Sequence, residues 1–102
     1  MDEFERYLKA YCNGEENAVK SPVLESVFNC KGSEIRKMVN DCRCRGVPVC
    51  SGPIGYYYST EKSDINKTVA NLTGRIEKIE AALNGLLGKQ PTYRKERILN
   101  HG

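Results

Sequence analysis

Residues 21–59 read SPVLESVFNCKGSEIRKMVNDCRCRGVPVCSGPIGYYYS, and the order of their local signals decides the fold. Ser21-Pro22 opens a helix with a hydroxyl suited to capping and a proline at the first helical position, where its missing N–H costs nothing. Val23, Leu24, Val27 and Phe28 give that helix an apolar side, and Asn29 to Gly32 forms the turn that follows. Ser33 to Arg45 resumes a helical period with Ile35, Met38, Val39 and Cys42 on one side. Gly46 stops it, as glycine commonly does just past a helix end. Val47-Pro48-Val49-Cys50 and Tyr56-Tyr57-Tyr58 are rich in β-formers and flank Ser51-Gly52-Pro53-Ile54-Gly55, which predicts a two-stranded hairpin. Pro48 has no N–H for a ladder, so it belongs at an edge or faces outward. Alternation along the second strand puts Tyr56 and Tyr58 on one face and Tyr57 on the other.

Helix, turn, helix with a basic face, then hairpin is the order of a winged helix-turn-helix, a shape often used to grip DNA. Upstream, Phe4, Tyr7, Leu8 and Tyr11 recur at helical spacing over residues 2–11 and predict a first helix that covers a small core. Asn13-Gly14 breaks that pattern, and Ala18-Val19-Lys20 is long enough only for a short strand or bridge. Downstream, Thr60 is the expected cap of a last helix, with Glu61 and Asp64 suited to its positive end. Ile65, Val69, Leu72, Ile76, Ile79, Leu83 and Leu86 alternate steps of four and three, which is a heptad seam with Val69, Ile76 and Leu83 at a and the other four at d. Gly74 and Gly85 weaken this helix by roughly 1 kcal/mol each relative to alanine. Gly88 and Pro91 end it. The expected class is therefore mainly α (α+β), with a winged-helix domain over 1–59, a coiled-coil helix over 60–88 and a flexible basic tail over 89–102.

A chain of 102 residues supports one domain with a modest core. Hydrophobic residues make up 39% and charged residues 28%, near the values of ordinary globular domains. The net charge of +3 conceals a segregation. Over residues 1–16, Arg6 and Lys9 face five acids, whereas residues 31–45 carry Lys31, Arg36, Lys37, Arg43 and Arg45 against Glu34 and Asp41. A concentrated basic segment points to a polyanionic partner. No apolar run approaches the roughly 20 residues needed to cross a bilayer, and the acidic start lacks the pattern of a signal peptide, so a cytoplasmic protein is expected. An odd number of cysteines, at 12, 30, 42, 44 and 50, argues against a disulfide framework and for reduced thiols. Cys30, Cys42, Cys44 and Cys50 would suffice chemically for zinc, but there is no Cys-x-x-Cys pair. A Cys-x-Cys on one helix also aims its side chains about 200° apart, so neither metal nor another cofactor is expected.

Stepping about 100° per residue from Ile35 places Ser33, Lys37, Asn40 and Cys44 on the outer side of the second helix of the pair, with Arg36 and Arg43 on its flank. Arginine and lysine contact guanine edges or phosphates, asparagine pairs with adenine, and serine near a helix start reaches a phosphate. Lys31, Ser33, Arg36, Lys37, Asn40, Arg43 and Arg45 are thus the candidate DNA-binding residues. A charged helix face that is merely solvated is the competing explanation, and the heptad helix folding back on its own domain is the competing explanation for the seam. β-branched residues at a, with Arg75 at g and Glu80 at the following e, favour a homodimer through Ile65, Val69, Leu72, Ile76, Ile79, Leu83 and Leu86. The only histidine is His101, and no phosphate loop, Ser-His-Asp set or carboxylate cluster occurs, so neither an enzyme nor a small-molecule substrate is expected.

The run Phe28-Asn29-Cys30-Lys31-Gly32-Ser33-Glu34-Ile35-Arg36, then Arg45-Gly46-Val47-Pro48-Val49-Cys50-Ser51 and Gly55-Tyr56-Tyr57-Tyr58, resembles small winged-helix proteins of bacteriophages and prophages. The resemblance spans about residues 20–87. It implies Ser33 to Arg45 as recognition helix, Ser51 to Gly55 as wing tip, and a role in regulating transcription or replication in a bacterial host cell. The wing tip departs from that pattern, because Gly52-Pro53-Ile54 carries no charge. The alternative function is a protein-interaction module on the same scaffold.

Overall fold

A computed structural model describes residues 2–88. The first helix, α1, spans Glu3–Tyr11, and the Asp2 carboxylate accepts the Glu5 backbone N–H at 2.8 Å to cap it. Glu3 and Glu5 in its first turn suit the positive end of the helix dipole. Phe4 and Leu8 are buried, and the next residue on that row is Cys12, also fully enclosed. Tyr11, expected on the core face, is instead 68% exposed. Its ring packs at a tilt against Tyr7, 4.9 Å between centroids, and Tyr7 in turn meets Phe28 edge-on at 5.5 Å. The aromatic row thus continues outside the core, where a tyrosine keeps its hydroxyl in water.

The chain then turns through Gly14 and a single 3-10 turn, Glu15–Asn17. Helix α2 follows at Ser21–Phe28 and α3 at Gly32–Cys44. Ser21 is not the cap that the sequence suggests. Lys20 occupies that position, and the Ser21 hydroxyl donates to the Glu25 carboxylate at 2.8 Å, one helical turn on. The Lys20 carbonyl already accepts the Val23 N–H at 3.0 Å, so the helix starts one residue earlier and Ser21 lies inside its first turn. Asn29 closes α2 in the left-handed region at φ 50°, a conformation asparagine tolerates better than most residues. Ile35, Val39 and Cys42 fill the inner side of α3, with Met38 at its margin. Gly46 at φ 87° then lets Val47 return its N–H to the Cys42 carbonyl.

The hairpin pairs β1 (Val49–Ser51) with β2 (Tyr56–Tyr58) antiparallel, Cys50 opposite Tyr57. Pro48 precedes the strand, so no ladder bond is lost, and its carbonyl accepts from Ser59. Tyr57 points inward and its two neighbours are half-buried, as alternation requires. The other side of β2 is also taken: Val19 and Tyr56 exchange backbone bonds of 3.0 and 2.7 Å, and Tyr58 donates to Cys12 at 2.7 Å. Phe4, Leu8, Cys12, Leu24, Ile35, Val39, Cys42 and Val49 form one core between the helices and this sheet. Each such large aliphatic side chain contributes about 1.5–3 kcal/mol by leaving water.

The last helix, α4, runs Lys62–Leu87. Thr60 does not cap it. Ser59, buried, accepts the Glu61 N–H at 3.1 Å and donates to Asp64 at 2.7 Å, because the Pro48 contact draws Ser59 inward and leaves Thr60 in solvent. The chain divides into two compact units at Thr68/Val69, inside this helix rather than at its start. Thr68 belongs to the first unit, where its hydroxyl accepts the Ser51 N–H at 3.2 Å. In the second unit Val69, Ile76, Ile79, Leu83 and Leu86 are exposed, and Gly88 at φ 66° ends the helix. The basic segment 89–102, with Pro91, lies outside the described residues.

Candidate nucleic-acid interface

Burying Ile35, Val39 and Cys42 leaves the opposite side of α3 to water. Ser33, Arg36, Lys37 and Asn40 are all exposed there, and Lys31, at the N-cap, is exposed beside them. The salt bridges among the described residues involve none of Lys31, Arg36 and Lys37. Glu34 and Asp41 are exposed on the same helix. A Cβ on Gly32 would lie 3.2 Å from Glu25 Oε2 and 3.6 Å from Arg36 Nη1, so the Glu25 carboxylate and the Arg36 guanidinium border the start of α3 together.

The other two candidate cations are engaged inside the domain. Arg43 Nε donates to the Val49 carbonyl at 2.8 Å and its Nη2 to the Ser51 hydroxyl at 3.2 Å, which ties α3 to β1. Arg45 reaches Asp2 at 2.9 Å and Glu5 at 3.9 Å, so its charge is balanced by α1. Solvent-screened pairs of this kind add little stability, but they cancel charge that an anion would otherwise feel. The structure therefore brings together Lys31, Ser33, Arg36, Lys37 and Asn40 and sets Arg43 and Arg45 apart from them.

The hairpin turn carries no charged side chain of its own; Gly52, Pro53 and Ile54 are exposed. One cation nevertheless stands at it: Lys20 Nζ donates to the Pro53 carbonyl at 3.4 Å. Nothing in the sequence marked Lys20, because it lies 33 residues away and belongs to no motif.

Burial pushes the thiols of Cys12, Cys42 and Cys50 up, which keeps them protonated at neutral pH. Cys30 is raised in the same way, first by desolvation and then by the Glu34 and Glu25 carboxylates. Among the described residues no three His, Cys, Asp or Glu side chains gather to hold a metal ion. Among the same residues no helix is long and apolar enough to cross a membrane. No protein-family model, characterised protein or solved structure matches this chain.

Proposed function

We propose that this is a winged helix-turn-helix protein that binds double-stranded DNA through α3, acts as a homodimer through α4, and regulates transcription or replication in the bacterial cytoplasm in the manner of phage-type proteins. The topology supports the fold: a helix, a bridge at Val19, two helices joined by a tight turn, and a hairpin whose second strand pairs back to that bridge. The observation that carries the function is the outward side of α3, where Lys31, Arg36 and Lys37, which the salt bridges among the described residues leave out, are exposed on the same helix as Asn40. A major groove about 12 Å wide admits a helix. In it Asn40 would pair with adenine, while Arg36 and Lys37 contact guanine or phosphate and Lys31 and Ser33 hold the backbone.

Fluorescence anisotropy of a labelled duplex, titrated at several salt concentrations, tests this directly. Arg36→Ala and Lys37→Ala should each weaken binding, and each should remove about one unit from the salt slope for a lost phosphate contact. Isotherms unchanged in both variants would overturn the assignment. A second reading is a protein-docking module, favoured by Glu34 and Asp41 on the same helix and by the internal engagement of Arg43 and Arg45. No binding to random duplex at low salt would favour that reading.

A further inference from the structure

The hairpin is uncharged at its turn, yet three interactions bring a cation to it. Val19 and Tyr56 are joined by two backbone hydrogen bonds. Gly55 packs without a side chain against the Val19 carbonyl and the Lys20 nitrogen. Lys20, exposed at the start of α2, then lays its ammonium on the Pro53 carbonyl.

Among the described residues, Lys67, Lys9 and Arg43 have internal partners. Lys67 lies between Glu15 at 3.5 Å and Asp64 at 3.6 Å. Lys9 approaches Glu5 and stands over the Tyr58 ring at 5.3 Å. Arg43 is turned to Val49 and Ser51. Lys20 has a neutral partner, and the salt bridges among the described residues leave it out. An ammonium carries three N–H donors, so one bond to Pro53 leaves two for an anion, on a side chain whose freedom the carbonyl has already reduced.

We infer that Lys20 supplies the charge that the hairpin turn lacks and contacts a phosphate of the duplex held by α3. This rests on the DNA-binding reading above and adds a second, separate point of contact to it. The anion is the phosphodiester backbone, so the contact carries affinity and register rather than base preference.

The test uses the full chain and a labelled random-sequence duplex. Lys20→Gln should lose about 0.9 of a unit of salt slope, which corresponds to about eightfold weaker binding near 0.1 M salt. Lys20→Arg should retain most of the wild-type slope. Lys78→Gln, an equal loss of net charge in the second unit, should leave the slope unchanged. If Lys20→Gln keeps the wild-type slope while Lys37→Ala loses its unit, the inference about Lys20 fails and the DNA reading stands. Weaker binding of Lys20→Gln at an unchanged slope would mark a purely structural role at the hairpin and overturn the inference as well. If the wild-type chain binds no duplex at low salt, both readings fall together.

Discussion

At Gly55 a hydrogen atom stands where any other residue would carry carbon. A Cβ there would collide with the Val19 carbonyl and come within 2.8 Å of the Lys20 nitrogen, and φ is +143°, a conformation that L side chains rarely adopt. Crowding and backbone strain act in the same direction, so Gly55→Ala should destabilise the domain by about 2–3 kcal/mol. Gly52 gives the contrast. A Cβ there meets only the end of the Glu15 side chain at 3.5 Å, so Gly52→Ala should cost much less. Urea midpoints of the two variants measure the difference, and equal midpoints would show that the Val19 contact does not constrain the hairpin. The arginines teach a related lesson. Arg43 and Arg45 belong to the same basic run as Arg36 and Lys37, yet one holds a strand and the other an acidic helix start.

For the elements, the joint between hairpin and last helix is the sensitive place. Tyr57 in β2 is buried, and its hydroxyl is raised to about 12, first by burial and then by the Asp64 carboxylate of α4. An unfolded tyrosine ionises near pH 10. Between those values the folded chain holds a proton that the unfolded chain has lost, so this contribution to stability is complete below about pH 10 and disappears as pH rises toward about 12. Thermal unfolding followed across that range should show the melting temperature falling. Tyr57→Phe, which keeps the ring and removes the ionisable group, should flatten that fall, and an identical alkaline profile in the variant would refute the assignment. The same joint contains Ser59, whose hydroxyl accepts the Glu61 N–H just ahead of α4, and Thr68, whose hydroxyl accepts from Ser51. Helix α4 therefore begins as part of the first compact unit and passes into the second beyond Thr68.

On the scale of the whole molecule, the heptad residues of the second unit set the expected assembly. Ile79 is 69% exposed and Leu86 89%, with Val69, Ile76 and Leu83 also open to solvent. A regularly spaced apolar stripe of this kind is what a paired helix covers, and pairing two copies would double the small reading face of α3. Sedimentation equilibrium should give a dimer for the wild-type chain and a monomer for Ile76→Lys, which places a charge at a central a position. A dimer that persists in the variant would locate the interface elsewhere. In a monomeric variant, duplex affinity should fall further than the loss of any single cation on α3 causes, because half of the contacts go at once.

The helices, the turn at Asn29, the stop at Gly46, the hairpin and its tyrosine alternation were legible along the chain. Each depends on residues within about one helical turn or one pair of strands, and such short-range preferences are written in local order. The exposed face of α3 was legible for the same reason, since burying Ile35, Val39 and Cys42 leaves Ser33, Arg36, Lys37 and Asn40 outside. Only the tertiary structure decided which cations that face keeps. Arg45 is balanced by Asp2, Arg43 is bound to Val49 and Ser51, and Lys20 is brought to Pro53, while the Ser21 hydroxyl turns to Glu25 and Ser59 takes the Glu61 N–H. A hydrogen bond or an ion pair forms with whatever lies near in space, and the spacing of residues along the chain does not record that proximity.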